Sequence, residues 1–174
     1  MSKTGRDEYT KFSCSEKLSC LRDLKQIDYE LAYLALLTAE GLKPLSRWEK
    51  PLSNEAVELL ERLGLLIKQI QRPIKARSVV IETIFSRSPN CIDLYEQSFA
   101  DTLIDKSPDT QRLEGFLFGY PPCCVEQYIR RPYTPNNLEP ANQKLLFHWT
   151  CKNCAITPNL LTEYEKISTM LNNS

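Results

Sequence analysis

Six of the 11 prolines fall after residue 120, at positions 121, 122, 132, 135, 140 and 158. Proline fixes φ and carries no backbone N–H, so it can open a helix but not continue one. This end of the chain is therefore confined to short helices joined by rigid turns. The spacing of the prolines and apolar residues predicts helices over 110–117, 122–131, 139–149 and 158–171. In the last of these Thr157 is the expected cap, Pro158 takes the first helical position, and Leu160, Tyr164, Ile167 and Leu171 share one face.

Before residue 110 the pattern differs. Residues 1–26 are polar and poorly periodic and read as a flexible arm with one short helical turn at 15–24. A helix is expected over 28–40. Ile27, Leu31, Leu34 and Ala35 share a face, and Tyr33, Leu36 and Leu37 add a second, so the helix belongs at the centre of the core. Gly41 stops it and Pro44 follows. Ser53 is the expected N-cap of a helix over 54–63, which Gly64 ends. Extended runs at 65–71 and 78–86 follow, joined by residues 72–75; the second is rich in β-branched residues. A helix over 91–105 completes this part. The fold class is α+β, mostly helical with one small antiparallel sheet. Residues 27–109 form an α+β subdomain and 110–174 a helical Cys/His region. With 174 residues the two are expected to make one continuous domain.

Lys+Arg and Asp+Glu balance at 22 each, which removes any bulk attraction to nucleic acid or anionic lipid. The longest apolar run, 31–37, is far too short to span a membrane, and residues 1–26 lack an apolar signal segment. A cytoplasmic location is the expectation. An odd number of cysteines, seven, without an export signal argues against a disulfide framework. Cys123, Cys124, Cys151 and Cys154 crowd together with the single histidine, His148, whereas Cys14, Cys20 and Cys91 have no close partner and read as packing residues.

Pro121-Pro122 places Cys123 and Cys124 in the first turn of a helix, where free N–H groups and the macrodipole favour thiolate. His148 falls in the last turn of the expected 139–149 helix, and Cys151-x-x-Cys154 makes a chelating bend. Five donors are thus available for about four positions. Three Cys and one His suit Zn²⁺, the first choice of cofactor; an iron–sulfur cluster is the second. Successive helical side chains diverge by about 100°, so one of the adjacent cysteines is expected to be spare. Cys124, sharing a face with Tyr128, is taken as the ligand with His148, Cys151 and Cys154. Cys123 is taken as the accessible thiolate, a catalytic candidate or a substitute ligand. Tyr120 and Trp149 are expected to wall the site. Inert packing of all these thiols is the plain alternative.

The run Gly115-Phe116-Leu117-Phe118-Gly119-Tyr120-Pro121-Pro122-Cys123-Cys124-Val125-Glu126, followed by His148-x-x-Cys151, resembles a prokaryotic family known only as a domain of unknown function. The resemblance covers about residues 78–165. It brings no reaction with it, but it implies that Gly119, Tyr120, Pro121, Cys123, Cys124, His148 and Cys151 are the functional positions. Cys154 is proposed as a ligand on its chemistry alone.

Two other functions compete. The order helix, helix, two strands suggests a winged-helix regulator, with Lys68, Arg72, Lys75 and Arg77 on phosphates and the cysteines sensing metal or redox state. Against it, a middle helix would have to fit between Pro44 and Pro51, and the balanced charge gives no support to nucleic acid as a partner. The other competitor is a metal-free thiol enzyme. Gly-rich phosphate loops are absent. Small molecules and proteins stay open as partners; a membrane does not.

Overall fold

A computed structural model describes residues 14–75 and 78–174. The elements run α1 (Cys14–Ile27), α2 (Tyr29–Ala39), β1 (Ser46–Trp48), α3 (Asn54–Arg62), β2 (Leu66–Pro73), β3 (Val79–Ser86), α4 (Pro89–Phe99), α5 (Pro108–Leu117), α6 (Pro122–Arg130), α7 (Pro140–Leu145) and α8 (Thr157–Asn172). The described residues are mostly helical with one antiparallel sheet in the order β1-β3-β2, an α+β fold. No helix among the described residues is long and apolar enough to cross a membrane.

α2 is the hub. Every residue from Leu31 to Thr38 is buried, and Asp28 caps the helix by accepting from Glu30 N at 2.9 Å and Leu31 N at 3.2 Å. α1 and α8 pack on it, α8 with Tyr164, Ile167 and Leu171, and α3 packs on α1 and brings Leu59 and Leu60 to the same core. Ser53 caps α3 through its hydroxyl, and Gly64 beyond it has φ +78°.

The residues expected to form a flexible arm differ from that reading. From Cys14 they form a four-turn helix, and Cys20, Leu21 and Leu24 lie in the main core. Its apolar positions are few, but they fall on one face. Lys25 adds a tie to α8 by donating to Leu171 O at 2.8 Å.

β2 and β3 pair from Leu66↔Ser86 to Pro73↔Val79, so Arg72 and Pro73 belong to the strand rather than to the turn. β1, unforeseen because it has only three residues, pairs from Ser46↔Phe85 to Trp48↔Thr83. It fills the space where a winged helix needs its middle helix. α4 ends at Phe99, earlier than its sequence pattern suggests, and Leu103 is exposed.

A second core of Leu45, Ile70, Ile84, Ile92, Tyr95, Phe99, Leu117 and Phe118 lies between the sheet and α4 and α5. Period-2 alternation puts Arg72 on the same inward face as Ile70. Its guanidinium pairs with Glu82 at 3.6 Å and Glu114 at 3.2 Å, while Tyr95 donates to Glu82 at 2.6 Å and Arg47 reaches Glu114 at 2.8 Å. Arg72, 1% exposed, is therefore a buried ion-pair residue and not a phosphate contact. Lys68 pairs with Glu96, Lys75 is exposed, and Arg77 lies outside the described residues. The outer face of α3, where a DNA reader would be basic, presents Glu55, Glu58 and Glu61.

Candidate metal centre

Two local structures build the site. The first is the α5–α6 hairpin. Phe118 N–H donates to Glu114 O and Tyr120 N–H to Gly115 O, both at 2.8 Å, which closes α5. Gly119 has φ +73°, and a Cβ there would meet Pro44 Cδ at 2.8 Å, so this position needs glycine on both counts. Pro121 O then accepts from Cys124 N at 2.9 Å and Val125 N at 3.1 Å, opening α6 with Pro122 in its first turn. The second is the segment from Leu146 to Thr157. Asn136 donates to Gln143 Oε1 at 2.9 Å and to Thr150 O at 3.1 Å, and Gln143 donates to His148 O at 2.8 Å. Asn153 takes φ +59° between Cys151 and Cys154, a left-handed turn that asparagine tolerates.

These two pieces bring Cys123, Cys124, Cys151 and Cys154 together, with all four sulfurs within 4.8 Å of one another. Cys154 Sγ lies 3.5 Å from both Cys123 Sγ and Cys124 Sγ. The four cysteines are close enough to hold a metal ion. Both adjacent cysteines join, contrary to the expectation of a spare. Helical Cβ atoms tilt toward the N-terminus, so two first-turn thiols can meet beyond the end of the helix although their faces diverge. The accessibility difference is present: Cys124 is buried and Cys123 exposed.

Donors surround the sulfurs. Cys151 N–H points at Cys124 Sγ at 3.3 Å and Thr157 N–H at Cys154 Sγ at 3.4 Å. Thr150 and Thr157 hydroxyls bond one another at 2.8 Å and approach Cys124 Sγ at 3.7 and 3.9 Å. Thr157, read from sequence as a helix cap, thus supports the sulfur site instead, and α8 has Ile156 at its cap position. Burial works against the Cys154 thiolate, but hydrogen bonds from the Thr157 hydroxyl and the Thr157 and Ile156 N–H groups bring its pKa down to about 6. Burial and the hydrogen bond to Cys154 push Cys123 upward, so Cys154 and not Cys123 is the more acidic of these two thiols.

His148 stands apart from the sulfur cluster. α7 ends at Leu145, Leu146 is extended, and the chain leaves the helix before reaching the histidine. The imidazole packs on Tyr120, with ring centroids 5.2 Å apart, and neither ring nitrogen has a partner among the described residues. Burial, with a contribution from the Lys43 charge, lowers its pKa to about 4, so it is neutral at pH 7. Tyr120 and Trp149 do wall the neighbourhood. With Glu114, Cys124, Tyr133 and His148 they line a cleft of about 510 Å³ beside the buried thiol. Trp149 is fixed by donating to Thr134 O at 2.7 Å, and Tyr133, at φ +56°, stands edge-on to Tyr128 and Trp149.

Among the remaining cysteines, Cys20 is buried in the main core and Cys91 half-buried; the side chain of Cys14 lies outside the described residues. Sequence reasoning did not find Lys43, which lies outside any motif; it gave no role to Thr150 and Asn153 within the His148–Cys154 run, and gave Thr157 only that of a helix cap. Comparison with protein-family models, with curated proteins and with solved structures finds no match for the chain.

Proposed function

We propose that this is a zinc protein whose four cysteines form a closed, structural centre tying the start of α6 to the α7–α8 connection. The single observation that carries the reading is the convergence of four sulfurs within 4.8 Å. Zn–S bonds of about 2.3 Å in a tetrahedron separate the sulfurs by about 3.8 Å, close to the 3.5 Å separations of Cys154 from its two partners. An iron–sulfur cluster spreads its four thiolates over two or more irons and suits this compact arrangement less well. Four thiolates leave no coordination position for water, so the expected contribution is to folding and to the shape of the adjoining cleft. Cys123 is then a ligand and not a free nucleophile.

The test is metal analysis with an absorption spectrum on anaerobically purified protein. A colourless protein with about one Zn²⁺ per chain is expected, and strong chelation should lower its melting temperature. Absence of both Zn and Fe, even after anaerobic reconstitution, would overturn the reading. Brown protein with stoichiometric iron would replace zinc by the cluster.

A further inference from the structure

Lys43, on the connection between α2 and β1, is 2% exposed. Its Nζ donates to Phe118 O at 2.9 Å and faces the rings of Tyr120, Phe147 and Phe118 at 4.7, 5.3 and 5.7 Å. No carboxylate among the described residues pairs with it, although carboxylates pair with Arg47, Lys50 and Arg72 nearby. Arg47, whose guanidinium lies 5.1 Å from the Phe118 ring, shares the aromatic box but spends its charge on Glu49, Glu82 and Glu114. A cavity of about 310 Å³ opens on this box; Trp48, Phe118, Tyr120 and Phe147 form its aromatic wall around Lys43, and Glu30, Glu49 and Lys50 also line it. Gly119 allows the approach, since its missing Cβ leaves room for the Lys43–Pro44 backbone.

A buried ammonium without a counter-ion is costly, and desolvating a lysine is a known way to obtain a nucleophilic amine near neutral pH. We propose that Lys43 is a carbonyl-reactive lysine, and that the cavity takes a small aldehyde or ketone with an apolar or aromatic body. The Nζ lone pair adds to the carbonyl carbon, and the carbonyl π pair moves to oxygen, which takes up a proton. Expulsion of that oxygen as water, carrying both protons of the neutral amine, leaves a C=N bond from Lys43 to the former carbonyl carbon. When protonated, this imine keeps its charge where the ammonium now sits, against Phe118 O and the ring faces. Burial lowers the Lys43 pKa to about 7, which supports a substantial free-amine fraction at neutral pH. The site is separate from the sulfur cluster, and its chemistry does not use the metal.

Metal-loaded protein is treated with benzaldehyde and sodium cyanoborohydride at pH 7, digested, and mapped by mass spectrometry, the other lysines serving as internal references. Lys43 should be benzylated at least about tenfold faster than the exposed Lys50 or Lys144. In Lys43→Met protein, verified for retained metal and helix content, no other lysine should take over the fast phase. In protein unfolded by urea, Lys43 should lose its advantage. Labelling of Lys43 no faster than that of surface lysines, or a fast phase that persists in Lys43→Met, would overturn the proposal.

Discussion

Replacing His148 by Phe should make the protein more resistant to acid. In the folded state the imidazole is 9% exposed, sits on Tyr120, feels the Lys43 charge and has no hydrogen-bond partner. Its pKa falls from the ordinary 6.5 to about 4. Above pH 6.5 the ring is neutral in both folded and unfolded chains, and its full contribution to stability is present. As the pH falls below 6.5 the unfolded chain takes up a proton that the folded one refuses, and stability is lost until the pH has passed through about 4. The total loss is about 3 kcal/mol, with about 2–3 kcal/mol of it incurred by pH 4.5. Phenylalanine removes this linkage and also two unpartnered nitrogens, so stability at pH 7.5 should be unchanged or higher by about 1 kcal/mol. Urea unfolding midpoints at pH 7.5, 6.5, 5.5 and 4.5 on both proteins read the effect. Whatever the acid does at the four cysteines is common to both proteins, so the difference between the two curves is the measurement. Curves that stay parallel from pH 7.5 to 4.5 would refute the reasoning, and so would a large loss of stability in the variant at pH 7.5.

Cys123→Ser and Cys154→Ser should each lower metal retention in competition with a chelator, since both sulfurs belong to the four-sulfur group; a Cys123→Ser protein as retentive as wild type would mark three thiolates as sufficient. Gly115→Ala places a Cβ 2.5 Å from Val125 Cγ2 and should cost about 1–3 kcal/mol in urea unfolding, with recovery in the Gly115→Ala/Val125→Ala double variant. Arg72→Met should destabilise by about 1–3 kcal/mol, because it leaves Arg47 as the one guanidinium shared by buried Glu82 and by Glu114, and adding Glu82→Gln should restore part of the loss. An Arg72→Met protein with an unchanged unfolding midpoint would contradict the buried ion pair.

Local chemistry determined a large part of this protein before any folding was known. The apolar wrap of α2, the Ser53 cap and Gly64 stop of α3, the β-branched run of β3 and the proline-led helices α5, α6 and α8 all depend on interactions within a few residues, and local pattern reports those directly. The four cysteines were legible for the same reason, as ligand-type residues in two short clusters. Tertiary structure decided what depends on a distant partner. The polar-looking start of the chain became α1 because α2 and α3 give Cys20, Leu21 and Leu24 a surface to bury against. Arg72 turned inward because Glu82 and Glu114 wait there, which no charge count reveals. α7 stopped at Leu145 because the hydrogen bonds of Asn136 and Gln143 hold the following segment in another path, and this sent His148 to Tyr120 instead of to the sulfurs. Whether two neighbouring thiols converge depends on where the third and fourth sulfurs lie. Residues 151–154 settle that from the far side of a connection that the spacing of the sequence does not describe.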